Sequence, residues 1–357
     1  MNTSEIRPVF AAETINKELE AFLEAGKFKD IKLFLLVDSN TARDCLPILI
    51  KGFTNEKAFT RILIPAGEEN KNINTVIHIW EMLGSSEAGR DALLVNLGGG
   101  VVCDLGGFAA STYKRGISYI NVPTTLLAQV DAALGGKTGC NLDHIKNSIG
   151  TFAMPEAVFI QREFLDTLPE KHIRNGFAEM LKYGLVADRS LWNDMKIKLV
   201  QNGADIVLIC RCVAIKNEIV DADPKETGLR KILNFGHTIG HAIESASMET
   251  GIDSLLHGEA VAIGMICEAF LSNRHAGLSE AELEEISDTI IDIFGATSIL
   301  AMSKLEIIKR MRNDKKNALG HIGFTLIPEI GKAVYNRYIA EADIAESLDY
   351  YIKLSEG

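Results

Sequence analysis

The run DALLVNL at 91–97 passes with no spacer into GGGVVCDLGGF, a junction that limits the possible folds more than any other stretch. A short apolar strand followed at once by glycines and a helical stretch opens a βαβ unit, in which backbone N–H groups and a helix N-terminus can approach a pyrophosphate. Four more β-type runs, IKLFLLV at 31–37, RILIPA at 61–66, ISYINVP at 117–123 and AVFIQ at 157–161, alternate with helical stretches. Such alternation predicts an α/β fold with a mostly parallel, Rossmann-like sheet covered by helices on both faces. The fingerprint G-x-G-x-x-G is incomplete, because Cys103 stands where its third glycine would be. The glycines alone therefore also fit a plain tight turn.

Beyond about residue 165 amphipathic helical periodicity takes over, from LPEKHIRNGFAEMLKYGLV through RCVAIKNEIV, HTIGHAIESA and GEAVAIGMICEAFLSNRHAG to AELEEISDTIIDIFG. At 357 residues the chain exceeds what one hydrophobic core usually serves. The expectation is an α/β domain over 1–165 and an all-helical domain over 166–357, with no Gly/Ser/Pro linker between them. Clefts between domains are common ligand sites.

Composition narrows the partners. A formal charge of -11 repels nucleic acid overall but permits a local basic pocket for a small anion. No run of eighteen apolar residues offers a membrane span, and MNTSEIRPVF leads into no signal-peptide core, so a cytoplasmic location is expected. Six scattered cysteines without a C-x-x-C suggest neither a disulfide framework nor a thiolate zinc site. A metal would then need histidine and carboxylate ligands.

Within NFGHTIGHAIE at 234–244, His237 and His241 stand four apart on one helical face. Thr238 occupies the place where H-E-x-x-H carries its general base, which disfavours a hydrolytic zincin. Both histidines could bind a metal, one could bind while the other moves protons, or neither could matter. In RNGFAEMLKYG, Glu179 and Lys182 are spaced to point into one region, and LLHGEAVAIGM puts His257 at the start of another helix. Glu179 with two histidines makes a His₂Glu set with an open position, a catalytic zinc pattern.

Polar residues gather at the predicted strand ends. Asp38 and Asn40 in VDSN, and Glu68 and Lys71 in PAGEENK, can meet ribose hydroxyls or simply cap turns. Residues 122–150 pack Thr124, Thr125, Asp131, Lys137, Asn141, Lys146 and Asn147 around Gly135 and Gly136, a mixture suited to a phosphate, a carboxylate or several hydroxyls. Lys216, Arg230 and Asn234 precede His237 and point to an anionic, oxygen-rich substrate. Lys315 and Lys316, in RNDKKN, read most simply as a solvated turn.

In this order, GGGVVCDLGGF, the block PTTLLAQVD, GGKTG and KN, then NGFAEMLKYG, ETGLRKILNFGHTIGHA and LLHGEAVAIGM resemble the 3-dehydroquinate synthase family over roughly residues 30–330. The resemblance implies an N-terminal NAD-binding domain, a C-terminal helical domain for metal and substrate, an active site between them, and a homodimer. It implies NAD and Zn²⁺ or Co²⁺ as cofactors, with Glu179, His237 and His257 as metal ligands and His241 on the substrate side. Lys137, Lys182, Lys216, Arg230, Asn234 and His241 match catalytic positions, and Asp131, Lys146, Asn147 and Lys315 match substrate contacts. Arg115, in YKRG, matches a phosphate-binding arginine supplied across the dimer. Asp38, Asn40, Glu68, Lys71, Gly99, Gly100, Asp104, Thr124, Thr125, Thr167 and Leu168, together with Lys137 and Lys146, match the cofactor side.

The activity implied is conversion of the phosphorylated sugar acid 3-deoxy-D-arabino-heptulosonate 7-phosphate to 3-dehydroquinate and phosphate, a carbon–oxygen lyase step of the shikimate pathway. A related sugar-phosphate cyclase shares much of this framework. A metal- and NAD-dependent polyol dehydrogenase shares the broad architecture but would release NADH in step with its product. Departures from the family pattern are Ala132 and Ala133 in a place usually rich in serine, Ile145 before the Lys–Asn pair, and His172 in place of a glutamate.

Overall fold

The computed structural model describes residues 8–51, 53, 59–142, 145–201, 203–248, 255–312 and 322–356. They form two compact units, the first ending at Ile173 and the second beginning at Arg174. The 3₁₀ turn Arg162–Thr167 sets Phe164 into the core beside the sheet.

The strands of the first unit are β1 (Val9–Ala12), β2 (Leu33–Asp38), β3 (Thr60–Ile64), β4 (Leu93–Gly98), β5 (Ser118–Pro123), β6 (Lys137–Leu142), β7 (Ile145–Phe152) and β8 (Val158–Gln161). Six of them make one sheet in the order β1-β8-β5-β4-β2-β3, parallel throughout. Its central strands are apolar on both faces, as a doubly covered sheet requires. Phe34 and Leu36 of β2 enter one core with Ile62, Leu94 and Val102, while Leu35 and Val37 enter the other with Val95, Ile120 and Phe159. The short edge strand β1, only half-buried, carried too weak an apolar signal to be expected from sequence. Chain order reverses at β2, which has β3 on one side and β4 on the other, so a crevice is expected beyond the carboxyl ends of β2 and β4. The ligand-like segment 122–150 is partly an antiparallel hairpin, with Lys137 of β6 facing Phe152 of β7.

The second unit is mostly helical, and the expectation of helices alone needs correcting. Strands β9 (Ile322–Glu329) and β10 (Lys332–Ile339) form an antiparallel pair. IGFTLIPE and KAVYNRYI are rich in β-branched and aromatic residues, and Ile322, Phe324 and Leu326 bury one side of the pair. Three helices matter for the site: Glu170–Ala187, His237–Ser247 and His257–His275. The two histidine-bearing helices touch backbone to backbone, since a Cβ on Gly264 would lie 2.0 Å from the Gly236 carbonyl oxygen. Among the described residues, no helix is long and apolar enough to cross a membrane.

Candidate active site

In the first unit, the residues expected on the cofactor side follow the carboxyl ends of β2, β3, β4, β5 and β8. Asp38 ends β2 and caps the helix Ser39–Asp44, its Oδ1 accepting from the Asn40 and Thr41 amides at 2.9 and 2.8 Å. That is the capping role open to it from sequence. Gly99 and Gly100 begin the helix Gly100–Thr112, whose first amides have no side-chain cap. A Cβ on Gly99 would meet the Thr125 methyl at 3.0 Å, so Thr125 and the glycine turn are neighbours. Thr124 is buried, its amide bonded to the Gly98 carbonyl at 3.0 Å. Thr167 is exposed at the surface and bonds the Phe164 carbonyl, with half-buried Leu168 next to it.

A polar chain crosses the same edge. The buried Lys71 ammonium donates to Asp104 Oδ2 and to Asn147 Oδ1, each at 2.6 Å. The Asn147 amide bonds Asn141 Oδ1 at 2.8 Å, and the Asn141 side chain bonds Glu68 Oε1 at 3.0 Å. Burial pushes the Asp104 carboxyl above its usual range, against the pull of Lys71. Lys137, Lys146 and Asn147 are exposed and Asp131 is half-buried. Asn147 has φ +51°, a left-handed conformation that asparagine tolerates better than most residues. Arg115 sits elsewhere, past the far end of the helix that Gly100 begins.

In the second unit, the three helices bring Glu179, His237, His241 and His257 together. Glu179 Oε1 lies 3.2 Å from His237 Nε2 and 3.6 Å from His257 Nε2. It is buried without a hydrogen-bond partner, while Oε2 is paired with the Lys182 ammonium. His237 Nδ1 faces the Phe235 carbonyl at 3.1 Å, an acceptor only, so the proton belongs on Nδ1 and the Nε2 lone pair faces Glu179. A lone pair opposed to a carboxylate oxygen is relieved by a positive charge between them, a proton or a metal ion. The imidazole nitrogens of His237, His241 and His257 also lie within 4.8 Å of one another, with His241 exposed and the other two half-buried. Both the three-histidine set and the His₂Glu set are therefore within reach. The orphaned carboxylate oxygen favours the second.

Burial pushes the Glu179 carboxyl up, but the Lys182 ammonium and then His237 outweigh it and hold the carboxyl well below its usual range. Burial, with Lys182 nearby, lowers His237. His257 is raised to about 9, since the nearby Glu179 and Glu244 carboxylates outweigh burial. Glu244 was missed from sequence, although it lies about two helical turns beyond His237. Its Oε2 stands 3.3 Å from His257 Nδ1.

Lys182, Lys216 and Arg230 are all buried. The Arg230 amide bonds Asp223 Oδ2 at 3.1 Å and its Nη1 bonds the Pro224 carbonyl at 2.9 Å, while the Asn234 side chain bonds Glu226 Oε1 at 2.7 Å. Lys315 and Lys316 lie outside the described residues.

The family profile described as 3-dehydroquinate synthase N-terminal matches residues 61–175, and that described as 3-dehydroquinate synthase C-terminal matches residues 176–317. The 3-dehydroquinate synthase of Parabacteroides distasonis is 41% identical over 348 residues, covering 96% of this chain and 97% of that protein. Among solved structures, 2-epi-5-epi-valiolone synthase from Streptomyces hygroscopicus subsp. jinggangensis, with NAD+ and Zn2+ bound, aligns with TM-score 0.86 at 28% identity over 99% of each chain. A 2-deoxy-scyllo-inosose synthase complexed with carbaglucose-6-phosphate, NAD+ and Co2+ aligns with TM-score 0.82 at 26% identity over 95% of each chain.

Proposed function

The chain belongs to the 3-dehydroquinate synthase family, and from that membership we propose that Glu179, His237 and His257 hold its divalent metal, with His241 beside them on the substrate side. The reaction is the conversion of 3-deoxy-D-arabino-heptulosonate 7-phosphate to 3-dehydroquinate and phosphate by oxidation, phosphate β-elimination, re-reduction and aldol closure. The observation that carries the ligand assignment is the unpartnered Glu179 Oε1 facing the two Nε2 atoms.

Bound NAD supplies a hydride acceptor regenerated within each cycle, and bound Zn²⁺ or Co²⁺ supplies a Lewis acid for the reacting oxygens. The chain's own groups prepare for both. Lys182 keeps Glu179 ionised, the Phe235 carbonyl directs the lone pair of His237, and Glu244 holds the proton of His257 on Nδ1. Arg230 presents a planar fork and Lys216 a point charge, two ways to hold a substrate carboxylate and its hydroxyls. His241, exposed beside the proposed ligands, serves in this reading to pass a proton to or from a substrate hydroxyl. At the strand ends, Asp38 and Glu68 offer acceptors to ribose hydroxyls, and the uncapped amides after Gly99 suit the pyrophosphate.

The same reading includes a cytoplasmic homodimer in which Arg115 serves the partner's substrate phosphate. In support, the helix Gly100–Thr112 separates Arg115 from the glycine turn of its own subunit by about 20 Å at 1.5 Å per residue.

Incubation with the heptulosonate phosphate, Zn²⁺ and far less than one equivalent of NAD tests the function. Phosphate release well beyond the NAD present, without accumulating NADH, is expected. One NADH per product would instead mark a dehydrogenase. The ligand set is tested by metal content: Glu179→Gln, His237→Ala and His257→Ala should each lose metal, whereas His241→Ala should keep it and turn over slowly. Metal loss in the His241 variant would restore the three-histidine set.

A further inference from the structure

Glu268 lies inside the helix that His257 begins, about three turns further on, and is completely buried. Its carboxylate reaches the start of the other histidine helix. The Gly236 amide donates to Oε2 at 2.7 Å, and the Thr238 and Ile239 amides donate to Oε1 at 3.1 and 3.2 Å. These amides bracket His237. A helix leaves its first N–H groups without intrahelical partners, and a capping side chain usually satisfies them from the chain just ahead. Here the capping position is Gly236, with φ +80° and no side chain to offer. The cap is supplied from the neighbouring helix instead.

Burying a carboxylate is costly unless it is fully bonded, and a serine or asparagine at the helix start would cap at lower cost. What a local cap cannot do is tie two helices together. Glu268 bonds backbone on both sides of His237 from the same helix that presents His257, fixing the rotation of one imidazole about its helix axis relative to the other. The fit leaves little slack, because a Cβ on Gly236 would stand 2.4 Å from Met265 Cγ and 3.0 Å from the Val261 carbonyl oxygen. Behind the cap, the Glu268 carbonyl accepts from Ser272 Oγ at 2.7 Å, and Ser272 Oγ accepts the Ile327 amide of β9 at 3.0 Å.

We infer that Glu268 is a positioning residue for the metal centre, holding His237 in register with His257 through the backbone amides of Gly236, Thr238 and Ile239. The inference rests on the assignment of His237 and His257 as ligands. Glu268→Gln keeps the volume but replaces one acceptor oxygen with an amide donor, which opposes the N–H groups it should receive. Glu268→Asp keeps the charge but withdraws it by one methylene.

The test uses the full chain stripped of metal and titrated with Zn²⁺ or Co²⁺ against a competing chelator, together with the visible spectrum of bound Co²⁺ and separate NAD titration. Both variants should fold, bind NAD as the parent does, bind metal about 10-fold or more weakly in line with losses at groups that orient ligands, and shift the Co²⁺ bands. His237→Ala, measured alongside, separates two kinds of failure. If it binds metal normally, the ligand assignment falls and the inference with it. If it loses metal while the folded Glu268 variants keep parental affinity and spectrum, only the inference falls. Failure of both Glu268 variants to fold would make the residue a determinant of the fold and would also overturn the proposal.

Discussion

His257 donates its Nδ1 proton to Glu244 Oε2 across 3.3 Å, leaving Nε2 directed toward Glu179. A carboxylate behind a ligating imidazole fixes its tautomer and strengthens it as a donor. Glu244→Gln should fold, because the amide oxygen can still accept the proton, but lose about 10-fold in metal affinity. Glu244→Ala should lose more. Chelator competition measures both, and unchanged affinity in the alanine variant would detach Glu244 from the metal.

The pair Lys71 and Asp104 makes a different kind of prediction. Both side chains are largely buried, so Lys71→Met leaves an uncompensated carboxylate and should cost about 3 kcal/mol. Adding Asp104→Asn should recover most of that stability while NAD affinity stays weak. Denaturant unfolding and NAD titration of the single and double variants separate the two effects. Equal instability of single and double variants would remove the ion pair from the argument.

Asp223 ties down the turn that carries Arg230. Desolvation raises its carboxyl, but the backbone amides of Gly228, Thr227 and Arg230 outweigh this and hold it below its usual range. A folded pKa below the unfolded value, about 3.9 for aspartate, gives stability that is present above that value and lost as pH falls through the folded one. Asp223→Asn should therefore be less stable than the parent at neutral pH, with the difference closing in acid. Substrate affinity should fall with it. A stability gap independent of pH would show that the charge is not what holds the turn.

Mixing tests the role of Arg115. Arg115→Ala and His237→Ala should each be nearly inactive alone. Co-refolded, they should regain activity, because in the proposed homodimer a mixed pair holds one intact metal set served by an intact arginine from its partner. No recovery in dimers shown to be mixed would return Arg115 to its own subunit.

The parallel sheet was legible because its strands are apolar throughout and each ends in glycine or polar residues, so strand, turn and ligand edge coincide in sequence. The edge strand β1 and the pair β9 and β10 were not, since short or half-exposed strands carry little period beyond local propensity. Glu179, His237, His241 and His257 stand out by type and spacing within apolar helices, while the choice of Glu179, His237 and His257 as the ligands follows from the family resemblance. Asp38 was legible as either cap or ligand, and the structure shows the cap. Glu244 and Glu268 escaped notice because each acts on a residue of a different helix, and no spacing along one helix encodes which neighbour it will face.

Contact between the Gly264 and Gly236 backbones limits how closely the two histidine helices approach. The contact behaves as a gauge block rather than a spring: whatever rotamers the surrounding apolar residues adopt, the two helices can approach no closer. A single methyl at position 264 would act as a shim, pushing the two histidine helices apart from a place that touches neither metal nor substrate.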